Sequence, residues 1–188
     1  MSDGRTPIAF GRQHQLLQAT QRRLAASALV RSIRSPIMIL VLAASAFLVL
    51  VTTVFHYEVL GRLNSTLPSL PVPRRAKLLV VIAVAFLARA SEIAMYGAAL
   101  YVLVTFLGAG MLVGVTGNAL LTYGYFSAET YTSLGFGDLT PVGPIRMLAG
   151  VEALNGLLLI AWSASFTYLA MERFWSNEAG SAGAQHGP

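Results

Sequence analysis

There is no cysteine among the 188 residues. That excludes disulfide frameworks and thiolate metal sites, and it leaves the redox compartment undecided. Histidine is nearly as scarce: His14, His56 and His186 lie far apart, too dispersed to read as a metal or catalytic cluster. Charged residues amount to only 11%. The polar residues inside the apolar stretches are few and form no nucleophile–base set, which argues against an enzyme and against any need for a cofactor. No apolar stretch carries arginine at every third position, so a voltage sensor is excluded. What fills the chain instead is apolar. With 55% hydrophobic residues and a mean hydropathy of +0.65, the composition is that of one integral membrane domain.

A helix needs about 20 apolar residues to cross the hydrocarbon. Three stretches qualify: 36–59, 78–107 and 145–174. No small-residue cleavage pattern closes the first, so it reads as a retained span rather than a secretory signal. Between the first two, 60–77 reads as a basic loop, because Pro68, Pro71 and Pro73 interrupt any regular helix and Arg74, Arg75 and Lys77 follow. Dividing the second stretch near Gly97 would produce four spans and suit the positive-inside rule better, but no polar turn lies there; three spans are expected. Segment 1–35 alternates Arg12, Arg22, Arg23, Arg31 and Arg34 with Leu16, Leu17, Leu24, Ala28 and Leu29, the pattern of a basic amphipathic helix lying along the membrane surface. Basic residues nearly balance between the two sides, so they do not set the orientation. Arg173, Phe174 and Trp175 read as an interfacial anchor, and 176–188 as a disordered tail.

Between the second and third spans lies a Gly-rich piece, 108–117, then a short helical pattern that Asn118 could cap and that runs to about Tyr131. It is too short to cross. Gly135, Phe136, Gly137 and Asp138 come next. Non-helical backbone at membrane depth is tolerated only where protein buries it or water reaches it, so a lining is the natural reading. For successive carbonyls to point toward one axis the backbone must alternate in handedness, and glycine takes positive φ at no steric cost. Such carbonyls replace the hydration shell of a cation, and the C-terminal end of the short helix favours that cation electrostatically.

The stretch TYTSLGFGD resembles the selectivity filter of potassium channels, and YFSAET resembles the pore helix that precedes it. The resemblance continues over EALNGLLLIAWS into the inner helix of small bacterial ion channels, some of which carry an extra span ahead of the pore module. It implies an all-α membrane fold with three transmembrane helices, a re-entrant pore helix and a filter, in which 78–175 is the pore module. It further implies ion-binding oxygens along Thr132, Ser133, Leu134, Gly135, Phe136 and Gly137, with Glu129 and Asp138 supporting the filter from behind. One such loop per chain and no internal repeat imply a homotetramer in a plasma (inner) membrane, with the bilayer and K+ ions as partners and no nucleic acid. Ser133 stands where threonine is usual, Phe136 where tyrosine is usual, and Leu134 where valine is usual. A weakly selective or nonselective cation channel, or a nonconducting membrane scaffold of the same fold, are the alternatives.

Other polar positions carry their own expectations. Arg89 and Glu92, three apart in the second span, are expected to pair, because lone charges there are costly. His56 and Glu58 read as solvated or hydrogen-bonded near an interface, with a pH sensor as the sharper alternative. Asn155 and Gly156 are expected near the cavity below the filter or at a hinge, and Glu152 behind the short helix. Leu159, Trp162 and Phe166 read as packing residues of the third span.

Overall fold

A helix satisfies all its backbone groups within one segment, which is why apolar runs take that form at membrane depth. The structure, a computed structural model, describes residues 36–114 and 120–183, with the side chains at 74–75 and 173–183 left out. The basic segment 1–35 and Asn118 lie outside the described residues. The chain divides into two units, Met1–Leu40 and Val41–Pro188, and the opening turn of the first helix is the described part of the former.

Helix α1, Pro36–Thr66, starts on a proline, which a first helical turn accepts because its amide would be unpaired there. It runs beyond the expected end at 59. No proline lies between Pro36 and Pro68, so the helix continues to Thr66 and tightens into a 3-10 turn at Leu67–Ser69. The expected loop 60–77 therefore shrinks to a few residues between that turn and Arg74, and Lys77 closes the corner by donating to the Pro68 carbonyl at 2.9 Å. Helix α2, Arg74–Thr105, passes Gly97 without a break, so among the described residues three helices are long and apolar enough to cross a membrane.

Past α2 the Gly-rich segment forms β1, Met111–Val113, which pairs antiparallel with β2, Thr140–Val142, aligning Leu112 with Pro141. This ribbon has no counterpart in the sequence reading, since a three-residue strand is too short for an alternating pattern to register. Helix α3, Leu120–Tyr131, has 12 residues and so a length of about 18 Å, short of a bilayer core. Helix α4, Ile145–Gly183, is 39 residues long. Its last turns correct the expectation of disorder over 176–183: no proline intervenes, and extending a formed helix adds one bond per residue.

One core cluster joins α1 to α4 through Leu48, Tyr96, Leu100, Phe126, Tyr131 and Leu148, while a second cluster of Leu63, Leu67, Val81 and Ala170 closes the other end. Along α1 the buried residues are Val41, Ser45, Leu48, Thr52, His56, Leu60 and Leu63, one stripe at three- and four-residue spacing. Lipid tails are as apolar as leucine, so helices here associate through close packing and interhelical hydrogen bonds. Helices α2 and α3 meet closely at Gly97, where an added Cβ would lie 2.9 Å from the Gly124 Cα of α3. Nothing lies within 4 Å of a Cβ placed on Gly124. Gly97→Ala is therefore expected to destabilise the folded protein by about 1–3 kcal/mol, as overpacking does. Gly124→Ala should be near neutral, and thermal melting of both variants in detergent compares them.

Candidate functional site

The backbone after α3 hangs from the helix's last turn. The Ser133 amide donates to the Thr130 carbonyl at 2.9 Å, and the Leu134 and Gly135 amides both donate to the Glu129 carbonyl, at 2.9 and 3.3 Å. One residue further, the Phe136 amide donates to Glu129 Oε2 at 3.1 Å. In a trans peptide the carbonyl points opposite to the amide that follows it. Turning these amides toward α3 therefore sends the carbonyls of Thr132, Ser133, Leu134 and Gly135 the other way, away from the helix. The handedness alternates as this requires: φ is 57° at Ser133, 55° at Gly135 and 80° at Gly137. Ser133 is the unforeseen member, a non-glycine residue whose left-handed backbone costs roughly 1–2 kcal/mol. The Thr132 hydroxyl turns back onto α3, donating to the Ala128 carbonyl at 2.7 Å. Residues 132–138 are all exposed in the single chain, Leu134 at 60% and Phe136 at 66%.

Behind this segment Glu129 is 4% exposed. Burial holds its carboxyl above the ordinary value of 4.5, and the nearby Asp138, within hydrogen-bonding reach, pushes the same way, against the stabilising amide of Phe136. Asp138 is itself pinned by the Leu139 amide at 3.1 Å and by the Tyr125 hydroxyl, which donates to Oδ2 at 3.1 Å. Tyr125 was missed, although its spacing of four from Glu129 puts both on one face of α3.

The charges inside the spans find partners other than those expected. Glu92 is fully buried, and its carboxylate is taken by two neighbouring helices: His56 Nδ1 of α1 lies 2.7 Å from Oε1, and the Tyr131 hydroxyl of α3 donates to Oε2. Arg89 donates instead to the Ile160 carbonyl of α4 at 3.2 Å. The Arg89–Glu92 pair is thus replaced, because facing helices present donors directly to Glu92 while Arg89 reaches across to α4. His56 is hydrogen-bonded rather than solvated: its ring is fully buried, with Nε2 2.9 Å from Ser163 Oγ and its centroid 5.7 Å from that of Trp162. Glu58 is exposed and faces Arg62 at 3.7 Å, one turn along. Hydrogen on Nδ1 closes the histidine's bonds, donating to Glu92 and accepting from Ser163.

Asn155 does not face a cavity. Buried at 4%, it donates to Thr52 Oγ1 at 2.8 Å and to the Tyr96 hydroxyl at 3.1 Å, joining α4 to α1 and α2. Gly156 lies within the continuous α4 and makes a close contact, for an added Cβ would lie 2.1 Å from the Tyr131 carbonyl. Glu152 sits behind α3, accepting the Ser127 hydroxyl, which is 2.8 Å from the Ile93 carbonyl. Leu159 is buried, while Trp162 also meets Tyr57, with ring centroids 6.3 Å apart.

Comparison with known proteins adds one match. The family model described as ion channel matches residues 77–173, which spans α2, the ribbon, α3, the exposed segment and most of α4. No curated protein and no solved structure matches the chain.

Because the folded protein favours protonated Glu129, this group's stabilising contribution is fully present below its ordinary value of 4.5 and is lost as pH rises through its raised value. Glu129→Gln stays neutral and keeps an acceptor for the Phe136 amide. Its melting temperature relative to wild type is expected to differ little at low pH and to move in the variant's favour as pH rises. A difference that does not change with pH would argue that Glu129 does not titrate there.

Proposed function

We propose that this chain, which belongs to the ion channel family, conducts K+ selectively and passively through a filter formed by Thr132 to Gly137 of four identical subunits. The family is one of channels rather than enzymes, and the three apolar helices make the chain a multi-pass membrane protein. The finer reading rests above all on Glu129: its carbonyl and carboxylate collect the amides of Leu134, Gly135 and Phe136, which leaves a row of carbonyls turned away from α3. Rows of that kind, arranged as a ring, substitute for an ion's hydration shell.

Each chain contributes one row, and a ring needs four, so a homotetramer follows from the reading. The exposure of Leu134, Phe136 and their backbone in the single chain supports it, since such a surface at membrane depth calls for neighbouring copies or for water. The Ser133 hydroxyl supplies an oxygen at the innermost position, K+ is the cargo rather than a resident cofactor, and the plasma membrane is the expected location. Phe136 lacks the phenol hydroxyl that a tyrosine would use to brace the ring. That absence is what favours the second reading, a channel with a looser filter that admits sodium.

The purified protein in a planar bilayer under a tenfold K+ gradient is expected to reverse about 59 mV from zero, the shift of a monovalent equilibrium potential. With sodium making up the missing cation on the dilute side, and the tenfold K+ ratio kept, the reversal should stay near the K+ equilibrium value. Collapse toward zero in mixed ions would favour the nonselective channel, and absence of current from a folded tetramer would favour a scaffold.

A further inference from the structure

The polar residues of α1 converge on the residue that precedes the filter. His56 lies outside the matched stretch 77–173, yet its ring is fully buried against residues inside it. Nδ1 meets Glu92 Oε1 at 2.7 Å, and the other carboxylate oxygen of Glu92 accepts the hydroxyl of Tyr131, the final residue of α3. Two hydrogen bonds therefore lead from the first helix to the point at which the filter backbone begins.

We propose that His56 is a positioning residue for the filter, acting through Glu92 on Tyr131, so that α1 is a working part of the conducting unit. The inference rests on reading Ser133 to Gly137 as that filter. Each oxygen of Glu92 has one directed donor, and Arg89, the nearest charged group on α2, is turned to the Ile160 carbonyl. On α4 the groups facing His56 are Ser163 and Trp162, and Glu152, an acidic residue of that helix buried in the core, is engaged with Ser127. Without the imidazole, Glu92 Oε1 becomes a buried acceptor with no donor. The carboxylate then turns toward Arg89 or draws both oxygens onto the Tyr131 hydroxyl, because an unpaired buried charge costs more than a rearranged side chain.

Tyr131 has little freedom to absorb such a change. Gly156 of α4 presses on its carbonyl, and the next residues are bonded to its own turn through the Ser133 and Leu134 amides. A displaced Tyr131 therefore loosens the amides that orient the filter carbonyls.

Hydrogen exchange of the full chain in lipid nanodiscs tests this, read on peptides covering residues 132–138 and, as a control, on those covering the β1–β2 ribbon. His56→Leu is expected to speed exchange over 132–138 by about tenfold, the effect of losing one hydrogen bond, while the ribbon is unchanged. His56→Asn, which keeps a donor near the Nδ1 position, should restore most of the protection. Tyr131→Phe cuts the same link from the other end, so the double variant His56→Leu with Tyr131→Phe should exchange no faster than Tyr131→Phe alone. Unchanged exchange at 132–138 in His56→Leu, or strictly additive effects, would overturn the proposal. Should His56→Leu not assemble, His56→Phe keeps the ring volume and answers the same question in the same two ways. Reversal potentials recorded on the same wild-type samples separate the two claims: loss of potassium selectivity there removes the functional reading, while the exchange rates still decide the role of His56.

Discussion

Every backbone amide at membrane depth must find an acceptor, and from Ser133 to Phe136 the chain has left the regular helical ladder that would supply one. Glu129 meets most of that demand. Its carbonyl takes two amides and its carboxylate a third, so one residue on the last turn of α3 both ends a helix and begins an ordered non-helical strand. The direction of the exposed carbonyls follows from this, as does the left-handed backbone at Ser133, Gly135 and Gly137. The carboxylate is itself held against Asp138, which Tyr125 and the Leu139 amide restrain. A segment held this way is only as steady as α3.

The rest of the fold holds α3 still. Gly97 lets α2 approach it at backbone distance, and Gly156 does the same for α4. Around these contacts the interhelical bonds of Ser127, Glu152, Asn155, Glu92 and His56 link all four helices. Apolar side chains do not distinguish a neighbouring helix from lipid, so registry between helices falls to small residues and to polar groups that have nowhere else to bond. Glu92 is one of these, fully buried. Its burial is tolerated because both oxygens have donors, and those donors come from α1 and α3, which ties the first helix into the packed bundle in a way its apolar composition alone would not.

Much of this was legible in the residues. Apolar runs of sufficient length announced three spans, and the continuity of α2 across Gly97 agrees with the absence of a polar turn there. The spacing of Gly135 and Gly137 announced an alternating backbone, since glycine at every second position is the cheapest way to obtain it. Ser133 was less legible, because a serine carries no conformational signature of its own and is forced into the left-handed region by the amide bonds on either side. The ribbon of Met111–Val113 with Thr140–Val142 was hidden for a different reason: its partners are separated by the whole of α3.

The division follows the range of the forces involved. Helix length, the short α3 and the glycine alternation are set by neighbours within a few residues, and composition and spacing were enough to read them. Partner choice is not local. Arg89 and Glu92 share a helical face, yet each bonds to a different helix, and Asn155 turns to Thr52 and Tyr96 rather than to a cavity. Those outcomes depend on how α1, α2 and α4 cross, which side chains the crossings bring within 3 Å, and which buried oxygen would otherwise be left without a donor. Only the packed tertiary structure holds that information, because it alone places His56 beside a carboxylate 36 positions away along the chain.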